Sequence, residues 1–366
     1  MSLRISALVL VALGAGCATG DLGAADEPPT STVQQGICSA WMCGTNSPQI
    51  AEFGFWELNL PTTLGTWGLP NNVGLQLLYF VQGNQAYLPR VIGGRLIATS
   101  AQATLAGSQL VNGFFYLRNG SRLFKLRVAE VGTVQSWAMQ PTTGGYPVLE
   151  SYKLDWAEFV NGSWGDGFRN MCPNPPSRDS SDLLTMTSTN IYRTLVFEGD
   201  RIDADKKLDT GIDTTWFNLG CAGSALAKMA LTGHTEASRT TGAFTTTLAE
   251  RQTMLKMLAA DYCGDGTPFT VAGQPLNWSD DHGTMKLVAP PASLVLESRW
   301  TPSGAACLDK PRVDVHWTQL GWDTFGADVY DQVLAHCPLL PQCADASFNN
   351  DGYHLLTATV PYQPSP

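Results

Sequence analysis

Phe114-Phe115-Tyr116-Leu117-Arg118-Asn119-Gly120-Ser121-Arg122-Leu123-Phe124-Lys125-Leu126-Arg127-Val128 reads as two strands and a tight turn. Asn-Gly is a strong short-range hairpin signal, because both residues tolerate the positive φ that a two-residue turn demands. On its far side Leu123 to Val128 alternates apolar and basic residues, as a half-exposed strand does. Outward from this hairpin the pattern repeats. Gly74–Val81 is an apolar run of strand length, Gly83-Asn84 marks a turn, and Gln85–Val91 supplies the partner. Further strands are expected at Gly94–Ala98, Ala103–Gly107 and Gln109–Gly113, with one or two more within Tyr146–Phe159. Many short strands punctuated by glycine predict a sandwich or barrel over residues 38–170.

Beyond it, residues 171–185 include Cys172-Pro173-Asn174-Pro175-Pro176-Ser177, a composition that reads as a linker. A strand at Leu195–Asp200 opens the next segment. A helix over 219–231 carries Leu219, Ala222, Leu226, Met229 and Ala230 on one face and stops at Gly233. A second helix over 246–260 carries Leu248, Leu255, Leu258 and Ala259. Strands follow at Leu287-Val288, Leu294–Trp300 and Val313–Trp317. The expected fold is therefore mixed α+β in two domains. An all-β, sandwich- or barrel-like domain precedes a disulfide-stapled α+β domain with a helical hairpin at 186–345, and 346–366 forms a tail. With 366 residues the chain exceeds one typical core.

The N-terminus predicts export. Arg4 precedes a short apolar run from Ile5 to Leu13 and small residues up to Cys17, the layout of a bacterial secretory signal peptide over residues 1–16. Ala15-Gly16-Cys17 resembles a lipobox, which makes Cys17 the acylated first residue of the mature chain. Gly14 stands where a large apolar residue is usual, and the alternative is cleavage near Ala24-Ala25. Residues 17–37, rich in small residues and Pro, form a tether. The expected location is the cell envelope, with the lipid as the link to a membrane. No later run reaches the roughly 20 apolar residues of a membrane-spanning helix.

Cysteine usage agrees with export. Setting Cys17 aside leaves Cys38, Cys43, Cys172, Cys221, Cys263, Cys307, Cys337 and Cys343, an even number that predicts a disulfide framework. No Cys-x-x-Cys spacing supports zinc. His336-Cys337 with Cys343 is the nearest approach, and no metal or other cofactor is expected. One pairing is expected from the helical hairpin. If the helices pack antiparallel, Cys221 at the start of the first meets Cys263 just past the end of the second. The alternative joins Cys221 to Cys172 and leaves Cys263 to Cys307 or another partner.

A formal net charge of −10 argues against nucleic acid as a partner. The sequence has no His-Glu-x-x-His and no Gly-x-Ser-x-Gly, and Gly220-Cys221-Ala222-Gly223 lacks the ending of a phosphate loop. The run Asp200, Asp203, Asp205, Asp209 and Asp213 departs from an EF-hand loop and contains Lys206 and Lys207, so it reads as an acidic solvated loop rather than a calcium site. The five histidines are His234, His282, His316, His336 and His354. The 11 Trp are expected mainly to fill β cores, with a sugar-stacking platform as the functional alternative.

Ala260-Asp261-Tyr262-Cys263, after the second helix and before Gly264-Asp265-Gly266, resembles the signature of the ADYC domain, a domain of unknown function found in bacterial, mostly myxobacterial, exported proteins. Cys221–Met229 resembles its first helix. Thr270–Leu276 resembles the strand and turn after the signature, and Glu297-Ser298-Arg299-Trp300 with Gly304–Cys307 resembles a later strand and loop. Trp41–Pro48 is similar to the opening of some of these proteins. The likeness covers about residues 170–345 and implies export and disulfides. It supplies no catalytic residue. Asp261, Tyr262 and Asp265 could perform acid–base work if one carboxyl were buried and raised in pKa. The simpler reading makes them a turn, a packed ring and a staple. The expected role is a non-enzymatic binding or structural protein of the envelope, and the sequence does not identify a ligand, protein or carbohydrate; the alternative is an exported hydrolase with its site near Asp261–Asp265.

Overall fold

The computed structural model describes residues 47–138, 146–165, 167–172, 192–202, 208–236, 246–269, 277–280, 295–312, 329–344 and 355–359. Cys17, Cys38, Cys43, the signal and tether stretches, 173–185, Leu287-Val288 and Val313–Trp317 lie outside them. β1 (Gln49–Ile50) and β2 (Phe53–Gly54) form a small ribbon. A large sheet then forms from β3 (Glu57–Asn59), β4 (Leu75–Gln82), β5 (Gln85–Ile92), β6 (Arg95–Thr99), β7 (Thr104–Ala106), β8 (Phe114–Asn119), β9 (Arg122–Gln135) and β10 (Val148–Val160). The short β11 (Ser163–Trp164) and β12 (Arg169–Asn170) pair with β10. The hairpin is present, but Asn119 is the last strand residue, opposite Arg122, so the two-residue turn is Gly120-Ser121, with Gly120 at φ 56°. Gln109–Gly113 is not a strand: Gly107–Leu110 is a 3-10 turn, and Asn112 at φ 66° ends any extended path.

Two strands from beyond the expected linker complete the sheet, β13 (Arg193–Ile202) and β14 (Leu208–Cys221). The order is β3-β14-β13-β10-β9-β8-β4-β5-β6-β7, and every pairing is antiparallel. The boundary expected at 171–185 therefore does not divide the sheet. The sheet also curls. At the β5–β6 turn the N–H groups of Gly93 and Gly94 donate to the Glu198 carboxylate of β13 at 2.6 and 3.1 Å. In β6, Leu96 N–H donates to the Tyr152 hydroxyl of β10 at 2.9 Å. A core of Leu75, Phe80, Leu117, Phe124, Val128 and Tyr152 fills the inner face.

After β14 come α1 (Ala225–Leu231) and α2 (Leu248–Ala259). Ser224 caps α1 by accepting from Ala227 N–H at 3.2 Å. Thr247 and Glu250 form a reciprocal capping box on α2. A second antiparallel sheet has the order β15 (Asn277–Ser279), β18 (Leu355–Thr359), β16 (Val295–Thr301) and β17 (Gly304–Leu308), and α3 (Val329–His336) ends at the next cysteine. Leu355–Thr359, expected in a tail, is thus an inner strand of this sheet.

The two sheets and their helices make a mixed α+β fold with two hydrophobic cores, and β13 is the wall between them. Leu195, Phe197 and Ile202 face the helices, while Val196 faces the large sheet's own core. The disulfides follow this partition. Cys221 ends β14 on the large-sheet core, where Cys172 follows β12, and the two are bridged with Cα atoms 5.5 Å apart. The expected Cys221–Cys263 bridge is therefore incorrect. Residues 219–221 are strand rather than helix, so Cys221 stays with the sheet while Cys263 follows α2 on the other side of the wall. Cys263 pairs with Cys337, and Cys307 with Cys343. The three disulfides among the described residues fit an oxidising compartment. No helix among the described residues is long and apolar enough to cross a membrane.

Candidate functional site

The helix α2 ends on Ala260, which takes φ 52°. A left-handed alanine costs roughly 1 kcal/mol, and the neighbouring backbone offsets this. Asp261 N–H donates to Lys256 O at 2.9 Å, and Phe269 N–H to Ala260 O at 3.1 Å. The turn aims Asp261 inward, where it is fully buried. Its carboxylate pairs with the buried Lys256 ammonium and accepts Gly266 N–H at 2.8 Å; Lys256 also donates to Gly264 O at 3.0 Å. The Tyr262 ring stacks on Trp300 with centroids 5.0 Å apart and meets Phe269 at 5.8 Å. Its hydroxyl donates to Glu297 Oε1 at 2.6 Å. Arg312 grips the same carboxylate, Nε at 2.6 Å and Nη2 at 3.2 Å, and adds its backbone N–H at 3.2 Å. Burial, with the Glu297 charge, raises the Tyr262 phenol well above its ordinary range, so it serves as a hydrogen-bond donor.

Two glycines dock this turn on the β16–β17 hairpin. Gly264, at φ 73°, approaches so closely that a Cβ would lie 1.9 Å from Ser303 O. At Gly304, φ 114°, a Cβ would lie 2.7 Å from Tyr262 O. Ala305 N–H then donates to Tyr262 O at 2.9 Å. Beyond the staple of Cys263 to Cys337, the chain emerges. Asp265 accepts Thr267 N–H at 2.9 Å and lies 2.8 Å from His336 Nε2, with Thr267 Oγ1 at 3.1 Å from the same nitrogen. The Thr267 N–H is the main cause that lowers the Asp265 pKa, and His336 adds to it. The structure thus separates the predicted trio: Asp261 and Tyr262 are interior, while Asp265 is at the surface beside His336.

The sequence reading missed Lys256, Glu297, Arg312 and Lys228. The last is on α1, where burial pushes its amine down to about 8 and the Arg312 charge adds to the shift. It also misplaced Asp200, which lies on no solvated loop. Asp200 is buried on β13 against Arg251 Nε at 2.7 Å, with Glu236 3.3 Å from Arg251 Nη1. Desolvation raises its pKa even so. Asp213 accepts Thr215 N–H at 2.9 Å. Asp203 and Asp205 lie outside the described residues, as do His282, His316 and His354. A Lys or Arg on an apolar helix stripe, as at Arg251 and Lys256, was the available signal for a buried counter-charge.

A second cluster occupies the outer face of the large sheet. Phe115 and Leu117 point inward, which leaves Phe114, Tyr116 and Arg118 outside; on β9, Lys125 and Arg127 alternate with buried Phe124, Leu126 and Val128. Tyr79 and Tyr116 meet at 5.3 Å, Tyr116 and Trp164 at 5.8 Å, and Trp164 and Phe159 at 5.1 Å. Lys125 Nζ lies 4.7 Å from the Trp164 centroid, 5.2 Å from Phe114 and 5.1 Å from Phe168. Among the described residues no carboxylate pairs with it. Four Trp, at 156, 216, 278 and 300, are buried as expected.

The family model of the ADYC domain matches residues 107–314, more than half of the chain. The match begins in the large sheet rather than near residue 170, in keeping with a sheet that runs through both expected domains. No curated protein and no solved structure matches the chain.

Proposed function

This chain belongs to the ADYC domain family, and from that premise we propose that it is a non-enzymatic binding protein of the bacterial cell envelope. In this reading the ADYC signature is scaffold. Ala260 ends a helix, Asp261 is taken by Lys256 and Gly266, Tyr262 by Glu297, and Cys263 by Cys337. Asp261, Tyr262 and Cys263 each have a partner inside the scaffold. The binding face is the row of rings Tyr79, Tyr116, Trp164 and Phe159 with Lys125 at its side, and its ligand is an acidic polysaccharide. Aromatic faces stack on the C–H faces of sugar rings, and an ammonium with no carboxylate partner among the described residues attracts uronate groups in a chain that is otherwise acidic. The row of rings is the observation that carries this proposal. The mature chain is exported and anchored through a lipid on Cys17, a reading that rests on the N-terminal sequence; acyl groups in the intact mass of the mature protein check it.

Binding to polygalacturonate, with neutral dextran as control, tests the ligand. Trp164→Ala and Tyr116→Ala each weaken polygalacturonate binding by about tenfold, the loss of roughly one stacking contact. Lys125→Ala removes the preference for the acidic chain. Binding unchanged by these variants, or no binding to either polymer, defeats the proposal. The hydrolase reading draws on one observation, the Asp265–His336 contact. It requires a hydrolytic activity that His336→Ala abolishes.

A further inference from the structure

The surface end of the signature brings together three groups that a divalent metal uses, with a fourth sulfur beside them. Cys263 Sγ, an Asp265 carboxylate oxygen and a His336 ring nitrogen all lie within 4.8 Å of one another. Cys337 Sγ is bonded to Cys263 and so adjoins this trio. The ligands arrive from two segments, Cys263-Gly264-Asp265 from the turn after α2 and His336-Cys337 from the end of α3. A tetrahedral zinc with bonds of about 2.0–2.3 Å sets its ligand atoms about 3.3–3.8 Å apart. Adjustments of about an ångström at a turn and a helix end would bring Cys263, Asp265 and His336 to that spacing, and Cys337 Sγ joins them once the bond to Cys263 is broken. In the oxidised protein the two sulfurs are spent on each other, and neither is a thiolate ligand.

We propose that the Cys263–Cys337 bridge covers a latent zinc site, and that reduction by a dithiol converts a disulfide staple into a zinc staple held by Cys263, Cys337, Asp265 and His336. The step balances. A dithiol gives up two electrons and two protons and closes to its own disulfide, while the Cys263–Cys337 bond breaks to two thiols. Binding of Zn²⁺ then releases both thiol protons to solvent. Asp265 enters as a carboxylate and His336 as the neutral tautomer with its proton on Nδ1, which frees Nε2, the nitrogen that faces Asp265 and Thr267, for the metal. Accessibility makes the conversion selective. Cys263 and Cys337 are both partly exposed, whereas Cys172, Cys221, Cys307 and Cys343 are buried. A thiolate must reach a sulfur to attack it, so of the three described bridges this one opens first. The inference does not depend on the polysaccharide proposal.

The test uses the full chain and zinc alone. The oxidised protein is treated with a dithiol, freed of it without air, and loaded with Zn²⁺. Expected are one zinc per reduced chain, none on the oxidised chain, and protection of Cys263 and Cys337 from alkylation. Co²⁺ in place of zinc gives a thiolate-to-metal charge-transfer band. Asp265→Asn and His336→Ala each weaken zinc binding tenfold or more, on the order of the loss seen when a metal site is disturbed. Equal zinc binding by these variants, equal binding by the oxidised chain, or earlier opening of either buried bridge overturns the proposal. Should reduction unfold the chain, as circular dichroism would register, Cys337→Ser decides without reductant. It leaves Cys263, Asp265 and His336, and is expected to bind one zinc more weakly than the reduced wild type; absence of zinc there overturns the inference.

Discussion

The two sides of β13 treat charge in opposite ways. On the large sheet, ion pairs keep at least one partner open to solvent: Arg95 with Glu150, Arg122 with Glu52 and Glu158, Lys153 with Glu130, and Arg127 and Arg201 with the buried carboxylates of Asp155 and Glu57. The inner face there is filled by aliphatic and aromatic side chains. On the helical side, pairs are inside. Arg251 with Asp200, Lys256 with Asp261, and Arg312 with Glu297 are all at most 3% exposed. Exposed pairs contribute about 0–1 kcal/mol. A buried pair gains its Coulomb energy only against a desolvation cost of several kcal/mol per ion, so it adds little net stability, yet it is destructive when broken. The first region thus tolerates changes of charge. The second ties its packing to particular partners: Asp261 must meet Lys256, and Glu297 must meet both Arg312 and Tyr262.

The largest expected effect follows from that difference. Glu297→Ala strands a buried guanidinium and a buried phenol, and should destabilise by about 3–5 kcal/mol. Replacing the cluster together, as Glu297→Leu with Arg312→Met and Tyr262→Phe, should cost less than the single change, because nothing charged is left unpaired. Urea unfolding of the oxidised proteins measures both. A cost for Glu297→Ala no greater than that of a surface pair would erase the contrast between the two regions.

The same contrast sets how far the sequence could be read. The strands of the large sheet alternate in burial, so β4, β5, β8 and β9 were legible from period and turn chemistry. β13 is buried on both faces almost throughout. It shows no alternation, and nothing local says that it pairs with β10 across the Pro-rich stretch. That hidden pairing is why the domain boundary and the Cys221 bridge were misread. At the site, the residue types of the signature were visible, along with the turn after the helix and the staple role of Cys263. The partners were not. Glu297 and Arg312 are 35 and 50 residues from Tyr262, and a carboxylate in a strand looks the same in sequence whether it is solvated or buried.

A smaller effect sharpens the comparison through pH. The Lys228 amine is lowered to about 8 in the folded chain, against about 10.4 unfolded. Between these values the unfolded state holds a proton that the folded state has released, so stability rises with pH across this window. Below about 8 both states are protonated, and the full cost of the buried charge is present. Lys228→Met should be the more stable protein at pH 7, with its advantage shrinking toward pH 9.5. Urea midpoints of the two proteins across that range give the difference directly. Parallel profiles would show that Lys228 carries no burial cost.

The smallest effect is expected on the large sheet. Arg95 lies about half exposed and donates through Nε to Glu150 Oε1 at 2.8 Å. Glu150 does not depend on it, since the Tyr152 hydroxyl donates to its other oxygen at 2.6 Å. Removing the guanidinium leaves a carboxylate that keeps one hydrogen bond and can be solvated on its open side. Arg95→Ala should therefore cost at most about 1 kcal/mol, and less at high salt, where screening already weakens the pair. The Glu150 contact raises the Arg95 pKa, but that guanidinium is charged throughout the range in which the protein is folded, so no pH dependence should appear near neutrality. Urea unfolding at low and high salt checks the size and the salt dependence together. A loss approaching that of Glu297→Ala would mean that the Arg95–Glu150–Tyr152 cluster holds the curled β5–β6 edge onto β10, and that the large sheet also depends on particular charge partners.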